Sequence, residues 1–305
     1  MVCSETPAAP PATPAQTGPA VRESAIGGAK RPVVMVHGSL TAGAMWKRMI
    51  ACLDDRYAIV APDLTGYGGT PAWHGRRPFR LTDDLACIDV AMAGMDAPFD
   101  LVGHSYGGLV ALRYAWANPH RVRSLLVFEP TVFRVLRDAD AGTPEAFAEI
   151  DRVSRVVRAG LRAGVPATAM RHFVDYWNGR GAWKMLPEER RELFSAQAGT
   201  VADNFAAGWT DDMPVAGLRG LDVPTFVVAG AATTAASLTT ARTLAALLPD
   251  AESMTVGGAG HMLPLTHPEE AVRIVSGWLA DPYVDARGQA RAGTPTSSAG
   301  AARAA

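Results

Sequence analysis

Cysteine is scarce in this chain of 305 residues: it occurs only three times, at scattered positions. An odd set without metal-ligand spacing is no disulfide framework and favours a reducing compartment, so we expect a cytoplasmic protein. Residues 1–18 have neither a basic start nor an apolar run, and we therefore expect no secretory signal peptide there. No apolar run reaches the length of a transmembrane helix, which predicts no membrane insertion.

Net charge is also small, at -1 at pH 7, and this balance argues against nucleic acid or an anionic membrane surface as a partner. Hydrophobic residues make up 48% of the chain and charged residues 19%, which is typical of a soluble protein with a sizeable core. The sequence has neither a glycine-rich phosphate loop nor a metal-ligand cluster, so we expect no cofactor and no metal. A small-molecule substrate is the expected partner, and the oligomeric state stays open.

Two terminal segments contain few residues that can be buried. Residues 1–28 are rich in Pro, Ala and Thr, residues 281–305 are rich in Ala, Gly, Thr, Ser and Arg, and both are predicted to be disordered tails. Between them, short β-like runs alternate with helical patterns, which predicts an α/β fold with a mostly parallel, doubly wound sheet. The β-like runs are Pro32–Val36, Tyr57–Ala61, Phe99–Val102, Ser124–Phe128, Thr225–Ala229 and Ser253–Val256.

Residues 133–214 interrupt this alternation, because they contain helical patterns only, as in Glu145–Leu161, Pro166–Trp177 and Glu188–Trp209. We therefore predict a core formed by residues 29–132 and 215–280, with a helical lid inserted at 133–214. Most aromatic residues of the lid are expected in its own core, and some in an apolar pocket. They are Phe133, Phe147, Phe173, Trp177, Trp183, Phe194, Phe205 and Trp209.

The segment Gly103-His104-Ser105-Tyr106-Gly107-Gly108 lies between a predicted strand and a predicted helix. A serine that projects from such a sharp turn has a strained backbone, and its neighbours two residues away must be small. The start of the following helix offers free N–H groups to a developing negative charge. This context predicts Ser105 as a nucleophile, although a glycine-rich turn with a bystander serine is the alternative.

This motif and three others resemble those of the α/β-hydrolase family, over residues 31–132 and 215–280. The others are Val36-His37-Gly38-Ser39, Ala61-Pro62-Asp63-Leu64-Thr65-Gly66-Tyr67-Gly68 and Gly257-Gly258-Ala259-Gly260-His261. The resemblance implies a sheet of six strands or a few more, although little chain is available for the antiparallel hairpin that usually precedes the His-Gly strand.

His261 is the predicted general base, because it follows the last strand on a glycine-rich loop and comes after the serine in chain order, as in the family. Acyl transfer also needs two donors for an oxyanion. One is the backbone N–H of Tyr106, directly after the nucleophile. The resemblance places the other at Ser39, with Leu40 as the alternative.

The loop that carries the acid in most of the family has no carboxylate here, since Thr233 occupies the expected position and no Asp or Glu occurs from Val223 to Pro249. Glu129 follows the preceding strand instead, where some α/β-hydrolases, including many haloalkane dehalogenases, place the acid. We predict that Glu129 orients His261, and that Asp63, after an earlier strand, has a structural role. The alternative for Glu129 is a hydrogen bond to nearby backbone.

A serine nucleophile with a base and an oxyanion hole suits acyl transfer. The expected function is hydrolysis of an ester, lactone or thioester with a small to medium apolar acyl group, through an acyl-enzyme. Hydrolysis of carbon–carbon bonds, cofactor-free perhydrolysis, and a non-catalytic binding protein or receptor on the same fold stay open as alternatives.

Overall fold

The computed structural model describes residues 21–22, 30–139 and 143–280. Within these residues seven strands form one sheet, in the order β1-β3-β2-β4-β5-β6-β7, and β2 to β7 all run parallel. The predicted mostly parallel sheet is therefore confirmed. The strands are β1 (Val21–Arg22), β2 (Arg31–Val36), β3 (Tyr57–Ala61), β4 (Phe99–His104), β5 (Val122–Phe128), β6 (Thr225–Gly230) and β7 (Ala251–Val256).

The first strand has only two residues and is the antiparallel edge of the sheet, with Val21 opposite Ala61 and Arg22 opposite Val60. It lies inside the segment that the sequence predicts as a disordered tail, so two residues of residues 1–28 belong to the sheet. The rest of that segment, and the predicted tail at 281–305, lie outside the described residues.

Helices cover both faces of the sheet, as the continuous apolar strands predict. Successive residues of β2 alternate between two buried clusters: Val34 belongs to the cluster that contains residues of α2, α3 and α10, and Val33 belongs to the cluster that contains residues of α1 and α12. The helices of the core are α1 (Lys47–Leu53), α2 (Leu81–Ala91), α3 (Tyr106–Ala117), α10 (Ala235–Leu247), α11 (Leu263–Thr266) and α12 (Pro268–Ala280).

Between β5 and β6 the described residues form helices and turns only; residues 133–214 are called the helical insert below. Its helices are α4 (Val135–Asp138), α5 (Pro144–Arg162), α6 (Pro166–Asn178), α7 (Ala182–Met185), α8 (Glu188–Ala196) and α9 (Ala198–Thr210). The single helix predicted for Glu188–Trp209 is thus two helices, and Gln197 at the break donates a side-chain hydrogen bond to the Gly66 carbonyl at 3.3 Å. None of the described helices is long and apolar enough to cross a membrane.

Candidate active site

Ser105 joins β4 to α3 with a backbone that is unfavourable for any residue with a side chain, at φ 54° and ψ -121°. Two of the three glycines of the motif, Gly103 and Gly107, permit this turn, because backbone atoms approach them too closely to leave room for a Cβ. A Cβ on Gly107 would lie 2.2 Å from the His37 carbonyl oxygen, and a Cβ on Gly103 would lie 2.6 Å from the Gly107 carbonyl oxygen. The strand–turn–helix context predicted around the serine is therefore present.

The structure brings together the three side chains predicted as nucleophile, base and acid. The hydroxyl of Ser105 lies 2.9 Å from Nε2 of His261, and Nδ1 of His261 lies 2.7 Å from Oε2 of Glu129. Because an ionised carboxylate can only accept, the imidazole proton lies on Nδ1 and leaves Nε2 to accept from the serine. The exposed fractions are 8% for Ser105, 3% for His261 and 0% for Glu129, so these three hydrogen-bonded side chains are shielded from bulk water.

Glu129 follows β5 and is held by three donors. Its Oε1 accepts from the backbone N–H of Gly230 at 2.8 Å, and its Oε2 accepts from the Thr233 hydroxyl at 2.6 Å as well as from His261. Burial acts to raise the pKa of this carboxyl, but the hydrogen bonds, led by that of His261, bring its pKa below the ordinary value. Thr233, at the position where most of the family has its acid, thus donates to the carboxylate at the neighbouring strand end.

His104 points away from the serine, as strand alternation predicts, and contacts the loop of the base instead. Its Nε2 donates to the backbone carbonyl of His261 at 2.9 Å, and the two ring centroids are 5.1 Å apart. Burial, with repulsion from His261 second, lowers the pKa of His104 to about 3, so its ring is neutral near neutral pH. Sequence reasoning gave His104 no part in placing His261.

Backbone strain marks the predicted site. Among the described residues, the non-glycine residues with positive φ are Leu40 at 60°, Ser105 at 54° and Glu129 at 46°. They lie after β2, β4 and β5, at one edge of the parallel sheet. Such conformations persist where the surrounding structure enforces them, and they cluster at functional sites.

The loop predicted to supply an oxyanion donor is tied to the helical insert through Asn204 of α9. Oδ1 of Asn204 accepts from the Ser39 hydroxyl at 2.8 Å and from the Tyr67 hydroxyl at 2.6 Å. Tyr106 is the first residue of α3, where a backbone N–H has no partner within its own helix. Ser39, Tyr106 and Ser105 line the same cavity. No signal in the sequence pointed to Asn204, because its partners come from distant segments.

His37 and Asp63 organise the surrounding loops. The Nδ1 of His37 donates to the Gly38 carbonyl at 2.8 Å, and its Nε2 accepts from the Leu64 N–H at 2.9 Å. Asp63 accepts from the backbone N–H groups of Gly43 at 2.7 Å and Gly69 at 2.9 Å. The structural role predicted for Asp63 is confirmed by these bonds.

Two cavities meet at Ser105. The inner pocket is narrow and mostly apolar, with a cavity volume of about 30 Å³, whereas the outer groove has a cavity volume of about 850 Å³ and extends along α7 and α8. Phe173 and Trp177, one turn apart on α6, line both cavities. Five of the aromatic residues predicted in the lid line the inner pocket: Phe133, Phe173, Trp177, Phe205 and Trp209. The outer groove is lined by Phe173, Trp177 and Phe194. Phe147 and Trp183 line neither cavity.

No cluster of three or more His, Cys, Asp or Glu side chains with the geometry for a metal ion occurs in the part of the chain that the structure describes. The chemistry that this site offers is a hydroxyl hydrogen-bonded to a buried imidazole, which is in turn hydrogen-bonded to a buried carboxylate. Such an arrangement can activate the hydroxyl as a nucleophile, because the imidazole can take its proton.

The family described as alpha/beta hydrolase fold matches this chain over residues 31–268. The chain therefore belongs to the α/β-hydrolase family, and it is an enzyme of that family. The match begins at β2 and ends at the start of α12, so it contains the whole parallel sheet and the helical insert.

Two curated relatives are similar over most of their length. The 2-hydroxy-6-oxo-2,4-heptadienoate hydrolase of Pseudomonas putida is 28% identical over 268 residues, which cover 83% of this chain and 90% of that protein. The pimeloyl-[acyl-carrier protein] methyl ester esterase of Chromobacterium violaceum is 28% identical over 247 residues, which cover 80% of this chain and 92% of that protein. A thermophilic esterase from Thermogutta terrifontis has a similar structure, with a TM-score of 0.64, 23% identity and coverage of 84% of this chain and 91% of that one.

Proposed function

We propose that this enzyme hydrolyses a carboxylic ester, lactone or thioester with a small to medium apolar acyl group, through an acyl-enzyme on Ser105. The observation that carries the proposal is the chain of hydrogen bonds from Ser105 through His261 to Glu129, which opens on an apolar pocket. A cytoplasmic location stays a prediction from the sequence.

In the proposed mechanism, Ser105 Oγ attacks the carbonyl carbon while His261 Nε2 takes the hydroxyl proton. The backbone N–H groups of Tyr106 and Ser39 stabilise the oxyanion, and the imidazolium passes its proton to the leaving group. Water then attacks the acyl-enzyme with the same imidazole as base, and Ser105 leaves with the proton. Glu129 holds the imidazole in the tautomer that has Nδ1 protonated and stabilises its charged form.

The lining of the inner pocket supports the apolar acyl group. Leu109, Phe133 and Phe205 line it beside Ser105, so a bound acyl chain would replace water against apolar side chains. The helical insert supplies Phe133 and Phe205, and we propose that it acts as the predicted lid over the nucleophile.

Carbon–carbon bond hydrolysis is the second candidate. The observation that favours it is the relative from Pseudomonas putida, which is as similar to this chain as the methyl ester esterase is and covers slightly more of it. Membership of an enzyme family, together with the hydrogen-bonded Ser105 and His261, supports catalysis over a receptor role.

The test is hydrolysis of p-nitrophenyl esters from acetate to dodecanoate by the wild type, Ser105→Ala and Glu129→Gln. We expect Ser105→Ala to lose turnover and Glu129→Gln to fall by up to about 10⁴-fold in kcat, since the imidazole loses its orienting carboxylate. Ser276→Ala, on α12, and Glu189→Gln, on α8, are matched controls that should stay at wild-type rates.

Labelling with a fluorophosphonate probe and assay of a 2-hydroxy-6-oxo-dienoate separate the candidates. Ester turnover with probe labelling that Ser105→Ala abolishes supports the proposal. Cleavage of the dienoate alone would transfer the assignment to carbon–carbon hydrolysis. Turnover that survives in Ser105→Ala would contradict both candidates.

A further inference from the structure

The helical insert places an indole directly against the predicted base. The ring centroids of Trp177, on α6, and His261 are 3.9 Å apart with an interplanar angle of 25°, so the indole stacks on one face of the imidazole. The exposed fractions are 8% for Trp177 and 3% for His261, so little water reaches the contact. The face of an indole carries the negative part of its quadrupole and attracts a cation held against it.

Trp177 is fixed in this position by other aromatic rings of the helical insert. Its indole stacks on Phe133, with ring centroids 6.2 Å apart and an interplanar angle of 14°. The rings of Phe173 and Tyr176 are both inclined to the indole by 71°, with centroids 6.1 Å and 4.6 Å away. A side chain packed in this way keeps a single rotamer. The indole is therefore a rigid wall against which the imidazole is placed.

The indole of Trp177 covers one face of the His261 ring, and the charged and titratable groups near His261 contact it elsewhere. Glu129, after β5, bonds to Nδ1 at 2.7 Å, and the ring centroid of His104, from β4, lies 5.1 Å from that of His261 with the two rings tilted by 44°. Tyr176, next to Trp177 on α6, donates to Glu149 at 2.7 Å. Because burial keeps His104 neutral, the His104 ring adds no second positive charge beside His261.

We propose that Trp177 is a positioning residue for the base: its indole holds the His261 ring in line between Ser105 and Glu129 and stabilises the imidazolium formed during each turnover. The proposal rests on the proposed function, in which His261 is the base. It assigns part of the catalytic apparatus to the helical insert, beyond the lining of the inner pocket.

The proton that makes this cation is conserved through the reaction. It leaves Ser105 Oγ as the bond from Oγ to the acyl carbon forms, it resides on His261 Nε2, and it passes to the leaving group as the scissile bond breaks. The second half repeats the sequence with water as the proton source. The indole thus stabilises a charge that is absent from the ground state, so its effect belongs to kcat.

The experiment compares Trp177→Leu and Trp177→Phe with the wild type, by kcat and KM for the best p-nitrophenyl ester across pH. Trp177→Leu should lower kcat about tenfold and move the acidic limb of the kcat/KM profile to lower pH by about one unit, because the protonated imidazole loses its aromatic contact. Trp177→Phe should recover much of both effects, since a phenyl face remains.

Trp183→Leu is the matched control, because Trp183 is a buried tryptophan of the same helical insert, with 7% exposure, that lines neither cavity. It should leave the pH profile unchanged. Circular dichroism shows whether each variant is folded; if Trp177→Leu fails to fold, Trp177→Phe carries the test, with a shift of the same sign and smaller size.

NMR titration of the His261 ring in substrate-free enzyme separates this proposal from the proposed function. In Trp177→Leu, or in Trp177→Phe as above, the ring should titrate at lower pH than in the wild type, whether or not any ester is turned over. A rise in KM with an unchanged acidic limb and an unchanged titration would overturn the proposal and leave Trp177 as a pocket wall. Absence of ester hydrolysis by the wild type would count against the proposed function alone.

Discussion

Glu129 and Thr233 are hydrogen-bonded to each other beside His261. Thr233 occupies the usual position of the acid but donates its hydroxyl at 2.6 Å to Glu129 Oε2, the oxygen that also accepts from His261 at 2.7 Å. Two side chains bonded to one carboxylate oxygen lie close together. In the proposed triad, a side chain after β5 and a side chain after β6 can therefore both reach the region beside Nδ1 of His261.

This proximity predicts that the acid can be moved. Glu129→Gln should lower kcat by up to about 10⁴-fold, as expected when the base loses its orienting carboxylate. Adding Thr233→Asp to that variant should recover at least about tenfold, because the new carboxylate reaches Nδ1 of His261 from the usual position. The measurement is kcat for a p-nitrophenyl ester in both variants.

The control for this relocation is Glu129→Gln with Thr234→Asp, which adds the same charge one residue further along. Thr234 is the N-cap of α10 and accepts from the Ser237 N–H at 3.2 Å, a role that aspartate also fills. This control should stay at the level of Glu129→Gln. Equal recovery at both positions would mean that a nearby negative charge suffices, and that geometry beside His261 does not matter.

How far single residues can be predicted from the sequence depends on whether their neighbours are local. Ser105, His261 and Glu129 each follow a strand, and the ends of parallel strands meet at one edge, so their proximity could be inferred. Asn204 and Trp177 contact the same region from helices whose packing no local pattern encodes. Their contacts with Ser39 and His261 appear only in the folded structure.

At the scale of elements, the turn between β4 and α3 depends on what surrounds its glycines. A Cβ on Gly107 would lie 2.2 Å from the His37 carbonyl oxygen and 2.5 Å from that of Val36, and backbone atoms cannot rotate away as a side chain can. The nucleophile turn and the loop after β2 are thus packed backbone against backbone. Any side chain at Gly107 must push apart the two loops that carry Ser105 and Ser39.

Gly107→Ala should therefore cost about 1–3 kcal/mol of unfolding free energy, as overpacking does, and reduce kcat/KM by about 10²-fold through displacement of the turn. Gly277→Ala is the matched control, since Gly277 is an exposed position inside α12 where an added Cβ meets nothing within 4 Å. It should raise stability by about 0.5–1 kcal/mol without affecting kcat/KM. Urea unfolding and ester hydrolysis measure both, and equal stabilities of the two variants would contradict the packing argument.

Elements with a clear apolar pattern were predicted within a few residues, and elements without one were missed. The helix predicted at Glu145–Leu161 is Pro144–Arg162 in the structure. The helix at Leu81–Ala91 is not predicted from the sequence, because its buried face includes Asp84 and therefore lacks a continuous apolar stripe. Asp84 accepts from the Tyr106 hydroxyl at 2.9 Å, a tertiary bond that offsets its burial.

For the whole molecule, the alternation of apolar strands and helices in the sequence predicts the parallel topology. The same pattern does not predict which polar groups are buried between the sheet and the helices. His37 is fully buried, and burial lowers its pKa to about 4; His104 is buried beside it in the core. In the unfolded chain both rings would take up a proton near the ordinary value of about 6.5. The unfolded state therefore binds more protons than the folded state over this interval.

This difference predicts a loss of stability in mild acid. The contribution of His37 is complete above pH 6.5 and is lost as pH falls towards 4, with a slope of up to about 1.4 kcal/mol per pH unit. Burial raises the pKa of Asp84 to about 6, so this carboxyl acts in the opposite direction over part of the interval. The free energy of unfolding from urea titrations between pH 7.5 and pH 4.5 measures the sum.

His37→Asn isolates the histidine, because Asp84 and His104 contribute equally to variant and wild type. Asparagine can still donate to the Gly38 carbonyl but leaves the Leu64 N–H without its acceptor, which costs about 1–3 kcal/mol at every pH. The variant is thus less stable at pH 7.5, yet its loss of stability between pH 6 and pH 4.5 should be shallower by up to about 1.4 kcal/mol per unit. Parallel curves for the two proteins would show that His37 takes up its proton equally in the folded and unfolded states, against what its complete burial implies.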